Sequence, residues 1–150
     1  MSGTFLREVE KDDLELLYSW VNEESVRKYA FDSHIITLEE HTAWFNRMMS
    51  DPNQIQFIMM VQESPVGQIR FSVDGSEAEI DYSISQHYRG CGYGREIIRI
   101  GIKKMNQVRP NVKKLIGRVK ATNSASIKCF MSNKFNENQI TLEYDMSNEG

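Results

Sequence analysis

The order of patterns in residues 77–108 restricts the fold more than any other feature of the chain. "EAEIDYSIS" alternates Ile80, Tyr82 and Ile84 on one face with Glu79, Asp81, Ser83 and Ser85 on the other, the mark of a half-buried strand. It runs into "HYRGCGYG", where Gly90, Gly92 and Gly94 fall within five positions. "REIIRIGIKKM" follows at once, and Ile97, Ile98, Gly101, Ile102 and Met105 give it the apolar stripe of a helix. Glycine lets backbone come close to a ligand, and a helix N-terminus offers unpaired N–H groups and partial positive charge. A strand, a glycine loop and a helix start in direct succession predict an anion held by backbone.

Around this unit the chain reads as one domain, 1–150. "TFLREV" is a short strand. "EKDDLELLYSWVNEESVRKYA" places Leu14, Leu17, Tyr18 and Val21 at helical spacing behind Asp12 or Asp13. Thr37 and Glu40 form a capping box at the head of "TLEEHTAWFNRMM", and Asp51-Pro52-Asn53 ends that helix. "IQFIMMV" and "QIRFSV" are strands around a turn at "ESPVG", and Asp74-Gly75 signals a hairpin. After Pro110, "KKLIGRV" reads as a strand, "NSASIKCFMSN" as a helix capped by Asn123 or Ser124, and "QITLEYDM" as a last strand. This order predicts a mixed α/β (α+β) fold.

The 150 residues suffice for one core. No apolar run is long enough for a membrane span, and the N-terminus lacks a signal-peptide core, so a cytoplasmic protein without a membrane partner is expected. Cys91 and Cys129 form no framework pattern, and His34, His41 and His87 have no ligand-like spacing, so no metal is expected. Charge is lopsided. Residues 1–88 hold 6 basic and 16 acidic residues, and residues 89–134 hold 12 basic residues against Glu96 alone. The basic half suggests a polyanionic ligand beside the glycine loop. It lacks the aromatic interleaving of a single-strand binder, so no nucleic-acid partner is expected.

Three phosphate-binding loops compete. A P-loop needs a second glycine where Arg95 stands, five places beyond Gly90, and a dinucleotide fingerprint needs a small residue at 95 and an acid about 20 residues on; no acid occurs between Glu96 and Glu137. The third fits. "YRGCGYG" resembles the (Q/R)-x-x-G-x-(G/A) loop of the GCN5-related N-acetyltransferases (GNAT), and "VKATNSASIKCF" resembles their second signature, with Asn123 and Ser126 in place.

The resemblance implies a mostly antiparallel sheet of about six or seven strands, splayed at the cofactor cleft and flanked by about four helices. It implies acetyl-coenzyme A as co-substrate, its pyrophosphate on backbone from Arg89 through Gly90, Cys91, Gly92, Tyr93 and Gly94. Its pantetheine arm would pair with backbone at Ile84, near Asn123, Ser126 and Phe130. A carboxylate on the strand before the loop, Glu79 or Asp81, would take the amine's proton. Many relatives have a tyrosine at the position of Phe130 as proton donor; Cys129, Tyr88 and Tyr144 are the alternatives here. Lys134-Phe135 stands for the family's "GF", with Asn133 expected to take the left-handed cap.

"LYSWVNEESVRKYAFDSHIITLEEHTAWFNRMMSDPN" resembles the front of acetyltransferases acting on nucleotide-linked amino sugars, as in pseudaminic acid synthesis. That likeness points to Trp20, Arg27, His41 and Trp44 as acceptor-binding residues. The same layout is shared by acetyltransferases of ribosomal-protein N-termini and of polyamines, and the acid excess before residue 88 favours a cationic acceptor. A small-molecule amine is the expected partner, and a homodimer would be in keeping with the family. A non-catalytic acyl-coenzyme A sensor is the reading from a different class.

Overall fold

The computed structural model describes residues 3–149. Strands β1 (Thr4–Glu8), β2 (Gln54–Val61), β3 (Ser64–Asp74), β4 (Glu77–Ile84) and β5 (Lys114–Gly117) form one sheet in sequence order. The first four are antiparallel neighbours, and β5 lies parallel to β4. Helices α1 (Leu14–Val21), α2 (Glu24–Tyr29) and α3 (Leu38–Ser50) come between β1 and β2; α4 (Tyr93–Val108) joins β4 to β5, and α5 (Ser124–Ser132) follows. No described helix is long and apolar enough to cross a membrane.

Strand alternation divides the apolar residues between two faces. Phe57, Met59, Ile69, Phe71 and Ile80 pack with Ile97, Ile98 and Met105 of α4. On the other face Ile58 packs with Val9, Leu17, Trp20, Phe45 and Met48. Gly101 is required where α4 crosses the sheet, since a Cβ there would stand 2.8 Å from Ile69 Cδ1. The expected capping box is formed, with Thr37 Oγ1 accepting from Glu40 N–H at 3.1 Å.

Four local expectations are corrected. The helix expected across residues 10–30 is broken, because Asn22 leaves it to bond the Ile36 backbone through Oδ1 (2.9 Å) and Nδ2 (2.8 Å). "ESPVG" is not a turn: β3 begins at Ser64, the turn is Gln62-Glu63, and Pro65 enters the strand opposite Met60, beside a register shift. Lys134, with φ 69°, takes the left-handed position, while Asn133 Nδ2 donates to Cys129 O at 2.9 Å. Residues 139–146 form no strand; Ile140 (68%), Leu142 (88%), Tyr144 (61%) and Met146 (73%) alternate but stand exposed, and none of the five described strands takes this segment into the sheet. Among the described residues the sheet therefore has five strands, not six or seven, accompanied by five α-helices.

Glu96, 4% exposed, ties α4 to β1: it accepts from Arg99 Nε at 2.6 Å and from Thr4 Oγ1 at 2.7 Å. Arg99 above all, against the cost of burial, holds its carboxyl down at about 2. A depressed carboxyl contributes stability that is complete above its ordinary value of 4.5 and lost as pH falls toward 2. Glu96→Gln is expected to cost about 2 kcal/mol at pH 7, discounted because Arg99 is partly exposed. Thermal melts of the variant should also fall less steeply between pH 4.5 and 2 than those of the parent.

Candidate active site

The site is made by a divergence of two strands. β4 and β5 pair from Glu77↔Lys114 to Ile80↔Gly117, and beyond that register they separate. Residues 81–84 keep their β3 partners Arg70, Ile69, Gln68 and Gly67 on one edge. The other edge faces a cleft of about 1020 Å³, whose far wall includes Arg118, Val119, Lys120 and Asn123. Gly67 lets β3 support the strand closely here, since a Cβ would lie 2.6 Å from Ser83 O.

The glycine loop closes one end. Gly90 (φ 77°) and Gly92 (φ 84°) are left-handed, a conformation costly for other residues. Gly92 O accepts the first helical bond, from Glu96 N–H at 3.2 Å, so the N–H groups of Tyr93, Gly94 and Arg95 precede the intrahelical ladder. All three residues line the cleft. Gly94 serves packing as well: a Cβ would stand 3.0 Å from Cys129 Sγ. Cys91 is exposed and outside the cleft lining. Arg89 buckles the loop down, donating from Nε to Ile84 O at 3.0 Å, from Nη2 to Glu23 Oε1 at 3.2 Å, and from Nη1 to Ser25 Oγ. It therefore ties the loop to α2 while its backbone neighbours remain available for an anion.

The helix α5 supplies the facing wall. Asn123 Oδ1 accepts from Ser126 N–H at 3.2 Å as an N-cap. Tyr82, which the sequence did not single out for a role, joins its hydroxyl to Ser126 Oγ at 2.8 Å. Burial pushes the Tyr82 phenol well above its ordinary range, so it stays protonated. Phe130 is 7% exposed, edge-on to Tyr82 at 5.5 Å and to Phe135 at 5.0 Å. Its ring fills the space left by Gly117, which explains the aromatic in packing terms. Of the alternative proton donors, Tyr88 and Cys129 line the cleft; Tyr144 does not.

The two candidate carboxylates lie differently. Asp81 lines the cleft and accepts from Gln68 Nε2 at 3.1 Å; Glu79 lies outside the lining and pairs with Arg118. Among the acceptor candidates, Trp20 is a core residue at the cleft floor, and Trp44 lies under the Arg70 guanidinium at 5.5 Å. His41 lines the cleft but is only 3% exposed, its Nε2 is 2.9 Å from Leu14 O, and burial pushes its pKa down. Arg27 is committed to carbonyls, donating to Val21 O at 2.7 Å and to Asp32 O and His34 O at 3.2 Å. Of the three arginines that α2, α3 and β3 bring to the cleft, Arg27, Arg47 and Arg70, only Arg47 has a guanidinium with no hydrogen-bond or ion-pair partner among the described residues, and it is exposed. Its spacing of three from Trp44 on one helix could have pointed to it.

Residues 4–136 match the acetyltransferase (GNAT) domain. The chain belongs to this family. Across 138 residues it is 27% identical to the uncharacterized protein MJ1062 of Methanocaldococcus jannaschii, covering 87% of this chain but only 28% of that relative. A solved domain from the same organism superposes with a TM-score of 0.81 at 26% identity, over 93% of this chain and 92% of that one. Two further structures share the fold. Spermidine N-acetyltransferase from Vibrio cholerae, in complex with coenzyme A and spermine, has a TM-score of 0.84 at 19% identity, over 93% and 84% of the two chains. The aminoglycoside acetyltransferase AAC(6')-Ib, in complex with coenzyme A, has 0.78 at 20%, over 90% and 85%.

Proposed function

We propose that this protein is an acetyl-coenzyme A-dependent N-acetyltransferase whose acceptor is a primary amine on a nucleotide-linked amino sugar. The observation that carries the acceptor class is the charge of the cleft. Of the sixteen acids in residues 1–88, only Glu40 and Asp81 line it, while Arg27, Arg47 and Arg70 do. Glu40 is engaged with His34 at 3.0 Å. The acid excess that favoured a cationic acceptor therefore lies elsewhere on the surface, and a polyamine would meet more positive than negative charge. An acceptor carrying phosphate suits Arg47, and its base or sugar ring suits Trp44.

In the reaction the amine nitrogen attacks the thioester carbon and the carbon–sulfur bond breaks with its electron pair on sulfur. A lysine-like amine is mostly protonated at pH 7, and freeing its lone pair costs roughly 4–5 kcal/mol, an upper bound for a sugar amine, whose neighbouring oxygens make it less basic. Asp81, at the cleft, takes that proton directly or through one water; Glu79, held by Arg118, is placed less well. The N–H groups at the head of α4 hold the coenzyme's phosphates, and the open edge of β4 aligns its arm.

Arg47→Glu tests the acceptor class. It should raise KM for the nucleotide-linked amino sugar about tenfold, leave KM for acetyl-coenzyme A unchanged, and leave the same amino sugar without phosphate unaffected. Equal effects on both sugars, or none on either, would refute the phosphate contact.

A further inference from the structure

A row of three polar side chains crosses the sheet beneath the acceptor half of the cleft. The register sets Gln56 diagonally beside Gln68, and Gln68 diagonally beside Asp81, all on the face that carries α1 and α3. Gln56 Nε2 donates to Gln68 Oε1 at 2.9 Å. Gln68 Nε2 donates to Asp81 Oδ2 at 3.1 Å and to Ser83 Oγ at 3.2 Å. Both glutamines are 7% exposed. At the far end Gln56 Oε1 is buried and has no hydrogen-bond partner among the described residues.

The direction of this row follows from its last member. An amide has a donating and an accepting end, whereas a carboxylate only accepts. Asp81 therefore requires the amino group of Gln68, which turns Gln68 Oε1 toward Gln56 and forces Gln56 to donate. Reversing both amides would set Gln68 Oε1 against the carboxylate. The unmet acceptor thus falls at the end farthest from Asp81. Stability alone does not call for such an arrangement, since apolar side chains would fill the same space and leave no buried oxygen without a donor. Arg70 does not hold the carboxylate in the same way, because its Nη2 is 3.9 Å from Asp81 Oδ2, beyond hydrogen-bond reach. Asp81 is itself 62% exposed, so the Gln68 amide is what restrains the carboxylate's rotation.

We propose that Gln68 is a positioning residue that aims the Asp81 carboxylate into the cleft, and that Gln56 holds the Gln68 amide in the orientation a carboxylate needs. The inference rests on Asp81 being the base, and a double-mutant cycle separates the two claims. Gln68→Met should lower kcat about tenfold, the effect of one lost hydrogen bond to a charged group, with both KM values unchanged. In an Asp81→Asn background the same substitution should change the residual kcat less than twofold. Gln56→Met should repeat the pattern with a smaller loss, which keeps the test open should Gln68→Met fail to fold. A tenfold loss from Gln68→Met in both backgrounds would make the row purely structural and overturn the proposal. Full turnover in Asp81→Asn alone would instead remove the base assignment on which it rests.

Discussion

Asp81→Asn is expected to lower turnover about a hundredfold to a thousandfold, the usual contribution of a positioned general base, while coenzyme A binds as tightly as before. The substitution keeps the shape of the side chain and leaves an oxygen for Gln68 Nε2, so the row behind it and the strand pairing of Arg70 with residue 81 survive. What is lost is the ability to accept a proton. Glu79→Gln serves as the control. Glu79 is engaged with Arg118 outside the cleft lining, and its neutral form should cost no more than a few-fold through the loosened Arg118. Steady-state rates for both variants, beside isothermal titration of coenzyme A, check this. Equal losses from the two substitutions would remove the distinction drawn between the carboxylates.

Gly117→Val is expected to be among the most destabilising single substitutions in the chain. A Cβ on Gly117 would lie 2.5 Å from Phe130 Cζ and 2.6 Å from Cε1. The ring cannot step aside, since Tyr82 and Phe135 pack on it edge-on. Overpacking of this kind costs about 3 kcal/mol, a fall in Tm of roughly 6–12 °C for a chain of this size. Gly117 is also the last β5 residue paired with β4, so the strain falls where the strands part to open the cleft. Gly117→Val with Phe130→Leu, which shortens the facing side chain, should recover part of the loss. A melt unchanged in Gly117→Val would show that the ring is not held as described.

The elements legible in the sequence were those with a local physical signature. The alternation of β4, the stripe of α4 and the Thr37–Glu40 box each depend on neighbours a few residues away, and each formed where expected. The elements that departed depend on distant partners. Residues 139–146 alternate as a strand would, but alternation supplies no pairing edge. Asn22 breaks a helical pattern because Ile36, far along the chain, satisfies its amide. The site divides in the same way. The glycine loop announced itself by composition, whereas the contrast between Asp81 and Glu79 turns on Arg118 and Gln68, on other strands or beyond them. Net charge sums over a surface, while an acceptor meets only the side chains of the cleft, so the acid excess before residue 88 does not by itself choose the acceptor.

The enzyme and its acceptor are distinguished together by thiol release from acetyl-coenzyme A in the presence of separate acceptors: a nucleotide-linked amino sugar, spermidine, and a peptide with a free N-terminus. Turnover on the amino sugar is expected to be at least tenfold above that on the other two, and to fall at least a hundredfold in Asp81→Asn. Preferred turnover on spermidine or the peptide would contradict the acceptor assignment, and coenzyme binding without thiol release on any of them would contradict the catalysis itself.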